Sequence, residues 1–439
     1  MRSGLSVVSG AIGLGGGLSG SAGVTWSLVW DQARAAGGLD RSGFGPGWSL
    51  GASFIDPATP ATVYPANGGA YVVGGSYPSR LRDYPLQDLA YTRASGTLPA
   101  RAGLPAIGYA FVLSYDDGRI DYFDGNGNLI TRTDRFGNRT VLTWLPLGDG
   151  RWAPSSIVDG YGQATKFCYT PSLVVVSAAP RSDGVAASTT ITLDATRRVR
   201  SVTDPAGAAA HFAYSSVSGS PVELLTSVTS ASLARTLITY QSIGYQPGLT
   251  AVQAVVTVDA SDTVLGPARL FSMDPEQNTA QHNYTGYPDY NGGSSDGLFE
   301  SGDRDYFYTT SMTSCVIRQL PAPATCPDSP ISTVSTYDSQ HRLVARTVLA
   351  EPVTVVQHQT ATYPPVRAAN VPGNYARPLT TTLTYSATSG VAGIAAATGS
   401  RAVTTSRTYD DHGRVTQSTD ETGTTTATTF DDKYGLITA

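Results

Sequence analysis

Phe123-Asp-Gly-Asn-Gly-Asn-Leu-Ile-Thr-Arg-Thr-Asp-Arg-Phe-Gly-Asn138 and Tyr409-Asp-Asp-His-Gly-Arg-Val-Thr-Gln-Ser-Thr-Asp-Glu-Thr-Gly-Thr424 are one text written twice. Each opens on an aromatic-Asp pair (Phe123 and Asp124, Tyr409 and Asp410), reaches a glycine three residues after the Asp (Gly127, Gly413), runs through a β-branched stretch, and closes on a second Asp-x-x-Gly (Asp134 and Gly137, Asp420 and Gly423). The aromatic in register with the opening one, Trp144 or Phe430, stands twenty-one residues after it. A third copy keeps the register with altered residues: Leu193, Asp194, Arg197 and Val199, then Asp204 and Gly207, then Tyr214. Fixed-period self-similarity of this kind is the mark of a repeat architecture.

The chemistry of the unit explains its residues. An Asp at the first position of a four-residue turn can accept a backbone N–H two residues on, and a Gly at the fourth position tolerates positive φ. Between the two turns lie about six residues rich in Thr, Val, Leu and Ile, close to the commonest strand length of about five or six. The unit is therefore expected to be a β-hairpin that must stack on its neighbours to bury its aromatic and aliphatic side chains. A half copy stands at Tyr337 and Asp338, with His341 in the glycine position, and Asp159-Gly-Tyr-Gly162 leads to Tyr169 as an isolated second half.

Outward from the repeats the chain divides into five intervals. Residues 1–54 hold strand signals at Val24–Trp30 and a Gly-Trp-Ser element, Gly43-Phe-Gly-Pro-Gly-Trp-Ser-Leu-Gly51, expected to be a tight bend packed closely on large rings. Residues 55–110 read as a loop-rich insertion, 111–217 as repeat sheet, 218–330 as an irregular β segment with the acidic loop Tyr287–Asp305, and 331–439 as repeat sheet, incomplete at its end.

Composition agrees with an all-β reading. Of 439 residues only 14% are charged, with two Lys, five Glu and three Met, whereas Gly numbers 47, Pro 27 and Tyr 24. Surface helices need the residues that are missing here. A net charge of −5 leaves no basic field for a phosphate backbone, so nucleic-acid binding is not expected. No run of eighteen apolar residues exists to span a membrane as a helix, and the glycine-rich Met1–Gly23 makes a poor signal-peptide core. Of Cys168, Cys315 and Cys326, the last two are spaced to close one disulfide loop in an oxidising compartment.

Motifs that carry chemistry elsewhere fit the repeat better. Gly293-Ser-Ser-Asp-Gly297 matches the nucleophile-elbow pattern around Ser295, but no helix can follow it. The glycines of Gly15–Gly20 match a dinucleotide fingerprint only because glycine-rich text matches easily. Asp124–Asn128 opens like a calcium loop yet has Leu129 and Arg135 where that loop needs Gly and Glu. Asp296, Glu300, Asp303 and Asp305 read as a hydrated loop, and His211, His282, His341, His358 and His412 lack ligand spacing. Asp204-Pro-Ala-Gly207 falls on the second-turn register. No cofactor, metal site or catalytic residue is expected, and the chain reads as a non-enzyme.

With Tyr115-Asp116, Tyr337-Asp338 and Tyr409-Asp410, with Ser9–Leu14 and Ala22–Asp31 at the start, and with Gly45-Pro-Gly-Trp-Ser-Leu-Gly51, the sequence resembles the RHS, or YD-repeat, proteins. The resemblance covers most of the chain thinly and is specific at 111–144 and 405–437. It implies hairpins wound into a curved spiral sheet forming part of a hollow shell. Bacterial members, including the B and C components of Tc toxin complexes, are similar to polymorphic toxins whose shell holds a C-terminal toxic domain. The expected role is thus a shell portion that encloses or delivers a toxic polypeptide, secreted or at the cell surface by way of a secretion machinery. Because the text ends inside a repeat-like run, Phe430–Ile437, its partner is expected to be a further C-terminal shell segment or a separate chain. The family's self-cleaving aspartates have no counterpart here. The alternative from another class is a cell-surface carbohydrate-binding or adhesion protein using exposed tyrosines such as Tyr287 and Tyr290.

Overall fold

The computed structural model describes residues 28–438 except for 32–33, 36–37, 39, 59–60, 67–70, 74–80, 82–88, 102–103, 116–117, 149, 179–186, 243–249, 274–306, 318–319, 321–325, 327–330, 339–341, 351–353, 366–376, 387–399, 411–412 and 432–435. Every named element is a strand. Two small sheets come first. Val29–Trp30 pairs with Trp48–Ser49, and Phe54–Asp56, Thr62–Tyr64 and Tyr71–Val72 form a three-stranded sheet. From Leu89–Leu98 to Thr425–Ala427 the chain then makes one antiparallel meander of 23 strands, each paired with its neighbours in sequence. No register pair joins the first of these strands to the last, so the sheet is an open ribbon of stacked hairpins. The ten-residue strand Leu89–Leu98 was not legible beforehand, because its text, LAYTRASGTL, mixes faces and contains Gly96.

The ribbon is not evenly pleated. The pairing register shifts between Tyr122 and Phe123, Thr143 and Trp144, Thr192 and Leu193, Ala213 and Tyr214, Thr239 and Tyr240, Thr336 and Tyr337, and Thr408 and Tyr409. Each of these sits at an aromatic or Leu; others lie at Arg93 and Gly96, Pro146 and Gly148, and Val348 and Leu349. An extra residue on one strand bends it and increases its right-handed twist, so bulges recurring along the ribbon curve the sheet.

Two hydrophobic clusters hold it. The larger joins Leu28, Trp30, Phe44, Trp48, Leu50, Ile55 and Val63 of the N-terminal segment to Phe111, Phe123, Phe167, Val176, Ile191, Phe212 and Ile238 of the ribbon. The smaller contains Ala254, Val256, Val258, Ala268, Leu270, Cys315 and Ile317, with Leu237 packed against it. Leu237 and Ile238 are adjacent on one strand and point to opposite faces, so the core changes faces at Arg235–Ser242. Among the described residues from Ile331 onward, no hydrophobic side chain is buried.

The N-terminal segment acts as a plug against one face, and glycine makes its closest approach feasible. Ile55 N donates to Gly127 O at 3.0 Å, and a Cβ on Gly127 would run into the Ile55 backbone carbonyl. Gly423 has the same turn conformation (φ +85° against +79°) but open space around it. Gly423→Ala is therefore expected to cost about 1 kcal/mol, the left-handed strain alone. Gly127→Ala should cost distinctly more, because the plug must also be displaced; denaturant midpoints of the two variants side by side check the difference.

Candidate functional site

One five-residue turn recurs along the ribbon. At Asp124, Asp134, Asp159, Asp194, Asp204, Asp259 and Asp420, one carboxylate oxygen accepts the N–H groups two and four residues on, at 2.8–2.9 Å. The Asp N–H donates to the carbonyl four residues on, and its own carbonyl accepts the N–H three residues on. Asp338 and Asp410 accept the N–H four residues on in the same way. The fourth residue takes positive φ at Gly127, Gly137, Gly207, Gly413 and Gly423, and also at Arg197 (+66°), Leu233 and Asp262. His341 and His412 lie outside the described residues.

Because strands alternate in direction, successive turns fall on opposite rims of the ribbon. The aromatic-Asp turns at Asp124, Asp338 and Asp410, and their Leu-Asp counterpart at Asp194, all lie on one rim; the second turns at Asp134, Asp159, Asp204, Asp259 and Asp420 lie on the other. The rims differ in chemistry. On the first, the residue four after the Asp braces its second carboxylate oxygen: Asn128 through Nδ2 at 3.1 Å, and Arg198, Arg342 and Arg414 through Nε at 2.8, 2.8 and 2.6 Å. Each Arg then stacks on the next aromatic, at 4.4 Å over Tyr214, 5.0 Å over Tyr363 and 4.8 Å over Phe430. A spare guanidinium N–H of Arg342 and of Arg414 reaches the backbone carbonyl just after that ring, Pro364 O and Asp431 O. On the second rim the described turns have no Arg brace; Asn138 Nδ2 holds Asp134 at 2.8 Å as Asn128 holds Asp124, and the turn tips expose Phe136, Tyr161, Leu233 and Leu265.

A further link lies outside the turn motif. Trp144 Nε1 donates to Leu129 O, Tyr169 OH to Pro154 O, Tyr214 OH to Val199 O and Tyr240 OH to Leu225 O, at 2.6–2.9 Å and always fifteen residues back. Each acceptor lies directly across a bulge, as Leu129 lies across from Phe123 and Leu225 across from Tyr214. Each aromatic thus ties its own hairpin to the preceding one. The recurrence of an aromatic fifteen residues after a Leu, Val or Pro was the available signal. Burial pushes the Tyr169, Tyr214 and Tyr240 hydroxyls well above the ordinary tyrosine range. These rings are packing elements rather than exposed platforms.

The plug meets the braced rim and the sheet face. Trp48 Nε1 donates to Tyr214 OH at 2.7 Å and its ring stands edge-on to Phe212 at 5.0 Å. Gly45 lies on the backbone carbonyl of Arg197, and Phe44 packs against Tyr169. The expected tight bend on large rings is what the structure shows at Gly43–Trp48. Beside it, the buried carboxylate of Asp121 takes Arg132 Nε and Nη2 at 2.7 and 2.9 Å and Tyr115 OH at 3.2 Å. Ser53 of the plug bonds the same hydroxyl at 3.1 Å. Burial, then the charge of Asp121, pushes Tyr115 up to about 12. Removing one partner of such a buried ion pair leaves the other charge uncompensated. Burial also lowers Arg34, which donates to Ser49 Oγ and Pro65 O within the plug.

Cys315 and Cys326 are joined in a disulfide, and Cys168 is a free, exposed thiol. His211 is exposed, and His358 Nδ1 bonds Thr347 Oγ1 at 2.9 Å. Ser295, Tyr287, Tyr290, His282, Gly15–Gly20 and the acidic residues Asp296, Glu300, Asp303 and Asp305 lie outside the described residues. Among the described residues no three His, Cys, Asp or Glu side chains cluster as metal ligands, and no helix is long and apolar enough to cross a membrane.

No family model matches the sequence, and no curated protein matches it. Solved structures of TcdB2-TccC3 align with it: the TEV form at 9% identity and TM-score 0.26 over 86% of this chain, the form without its hypervariable C-terminal region at 10% and 0.29 over 94%, and the Cdc42 form at 11% and 0.27 over 96%. The chain spans about a fifth of the length of those chains, 20–22%. Identity and TM-score at this level carry no argument about function.

The brace sets two expectations. Asp194 is held below the ordinary carboxylate range; burial opposes this, but the hydrogen bonds from Arg198 and Thr196 outweigh it. Its contribution is present in full above the ordinary value and is lost as pH falls through the depressed one. Asp194→Ala should therefore cost about 2 kcal/mol at neutral pH, with the gap to the parent closing in acid; urea titrations between about pH 2 and 7 check this. Arg197 has left-handed backbone, and its Nε and Nη2 find no hydrogen-bond partner. Arg197→Gly should thus leave stability unchanged or raise it by up to about 1 kcal/mol, read as a shift in melting temperature.

Proposed function

We propose that the chain is a structural shell portion of the RHS, or YD-repeat, kind, which helps to enclose or deliver a toxic polypeptide outside the producing cell or at its surface. The observation that carries this reading is the placement of the turns at Asp124, Asp194, Asp338 and Asp410 on one rim, each with its carboxylate braced by the residue four positions on. A ribbon built that way lengthens by adding hairpins and curves as it grows. The plug covers one face of its first half, whereas from Ile331 onward the described strands bury no hydrophobic side chain. The low charge of the chain supports a wall that contains a polypeptide without binding it tightly. On this reading the chain needs no cofactor and performs no bond chemistry. Its partners are further shell, in the same or a separate chain, a cargo polypeptide and an export machinery.

The test is to produce the protein together with the coding segment that follows it and to image the purified product by electron microscopy, with protease added in parallel. A hollow particle holding a polypeptide resistant to protease is expected. Solid particles, or a co-produced polypeptide cleaved as fast as when free, would overturn the reading.

A further inference from the structure

The ribbon has one thin seam. The strands Thr250–Val258 and Ala268–Met273 share only two register pairs, Ala254 with Leu270 and Val255 with Arg269, supplemented near the turn by a bridge between Val258 and Val264 and a bond from Leu265 N to Thr257 O. On its two sides the ladder is full: eight pairs join Arg235–Ser242 to Thr250–Val258, and six join Ala268–Met273 to Phe307–Cys315. What replaces the missing backbone bonds is the second hydrophobic cluster. Ala254, Val256 and Val258 from one side of the seam and Ala268 and Leu270 from the other pack with Ile317, and Leu320 and Cys326 lean on them.

Ile317, Leu320 and Cys326 follow the last residue of Phe307–Cys315, and the Cys315–Cys326 bond returns Cys326 to that strand's end. Cys315 itself is paired with Ala268, so the disulfide anchors these side chains to the strand next beyond Ala268–Met273, which borders the seam. We infer that Cys315–Cys326 is a redox clasp on this seam, and that a thiol reductant opens the ribbon locally there while the plugged half stays folded. Cys315 is fully buried and Cys326 only partly, so attack falls on the Cys326 sulfur and Cys315 leaves as the thiolate. A dithiol reductant supplies two electrons and two protons. Its own sulfurs join as a disulfide, the protein S–S bond breaks, and two cysteine thiols remain. Without the bond, ordering Leu320 and Cys326 over the cluster costs chain entropy that the closed loop had removed.

Hydrogen exchange read by mass spectrometry tests this on the full chain carrying Cys168→Ser, which removes the exposed competing thiol. With dithiothreitol, peptides covering 252–258 and 268–273 are expected to exchange at least tenfold faster, those covering 173–177 and 188–193 to be unchanged, and reoxidation to restore protection. Adding Cys315→Ser and Cys326→Ser should produce the fast exchange without reductant and abolish the response to it. Should that variant fail to fold, the reduction and reoxidation cycle of the parent decides alone. Unchanged exchange at the seam, equal loss across all strands, or peptide mapping that finds no Cys315–Cys326 bond in the oxidised protein would each overturn the inference.

Discussion

A carboxylate that accepts two backbone N–H groups from its own turn is the constraint on which this protein rests. Tight turns leave N–H groups pointing inward with no strand to pair them, and a short acidic side chain at the first position satisfies two of them. The same geometry forces the fourth residue into positive φ and delivers the fifth directly into a strand. Once a turn of fixed length recurs at fixed spacing, strand length, hairpin register and the alternation of rims follow from it. Tyr214 and Tyr240 can then each find a carbonyl fifteen residues behind them, because a bulge stands opposite that carbonyl in each hairpin.

The two rims show how one backbone device takes on different duties. On one, the second carboxylate oxygen is free to hold an Asn or Arg, and the Arg plane lies over the next repeat's ring, so charge, hydrogen bonding and stacking converge on one point per hairpin. On the other, the described turns lack the Arg brace and its ring stack, Asn138 alone holding the second oxygen of Asp134, and the tips reach solvent, some with apolar side chains. The braced rim is also where the plug comes closest, through Ile55 on Gly127 and Gly45 on Arg197. The curvature of the first half is therefore set from two sides, by bulges within the sheet and by Trp30, Phe44 and Trp48 filling one face of it.

A core that begins on one face and continues on the other is an economical answer to a ribbon too long for a single plug. The large rings are spent in the first half, where side chains can interdigitate. The second cluster is made of small residues, Ala254, Val256, Val258 and Ala268, and is completed by a disulfide rather than by further aromatics. Farther on, cross-strand hydroxyl pairs such as Thr382 with Thr404 and Thr419 with Thr425 take over from hydrophobic burial. Such pairs hold register without demanding a covered face.

The all-β architecture, the hairpin unit and the turn residues were legible in the linear text, because an Asx-type turn and a β-branched run are local chemistry that completes itself within ten residues. Arg197 could be placed in a glycine position by counting alone. What the text could not reveal was anything decided by where distant segments meet. The stack of Arg414 on Phe430, the carbonyl caught by Trp144, the strand Leu89–Leu98 and the reversal of the core at Leu237 and Ile238 all depend on bulges and packing, which the spacing of turns and aromatics does not by itself place. The spacing of Cys315 and Cys326 could suggest a bond but not what it covers. Local backbone satisfaction is written residue by residue, whereas the face a side chain occupies changes at every register shift, and only the assembled sheet keeps that count.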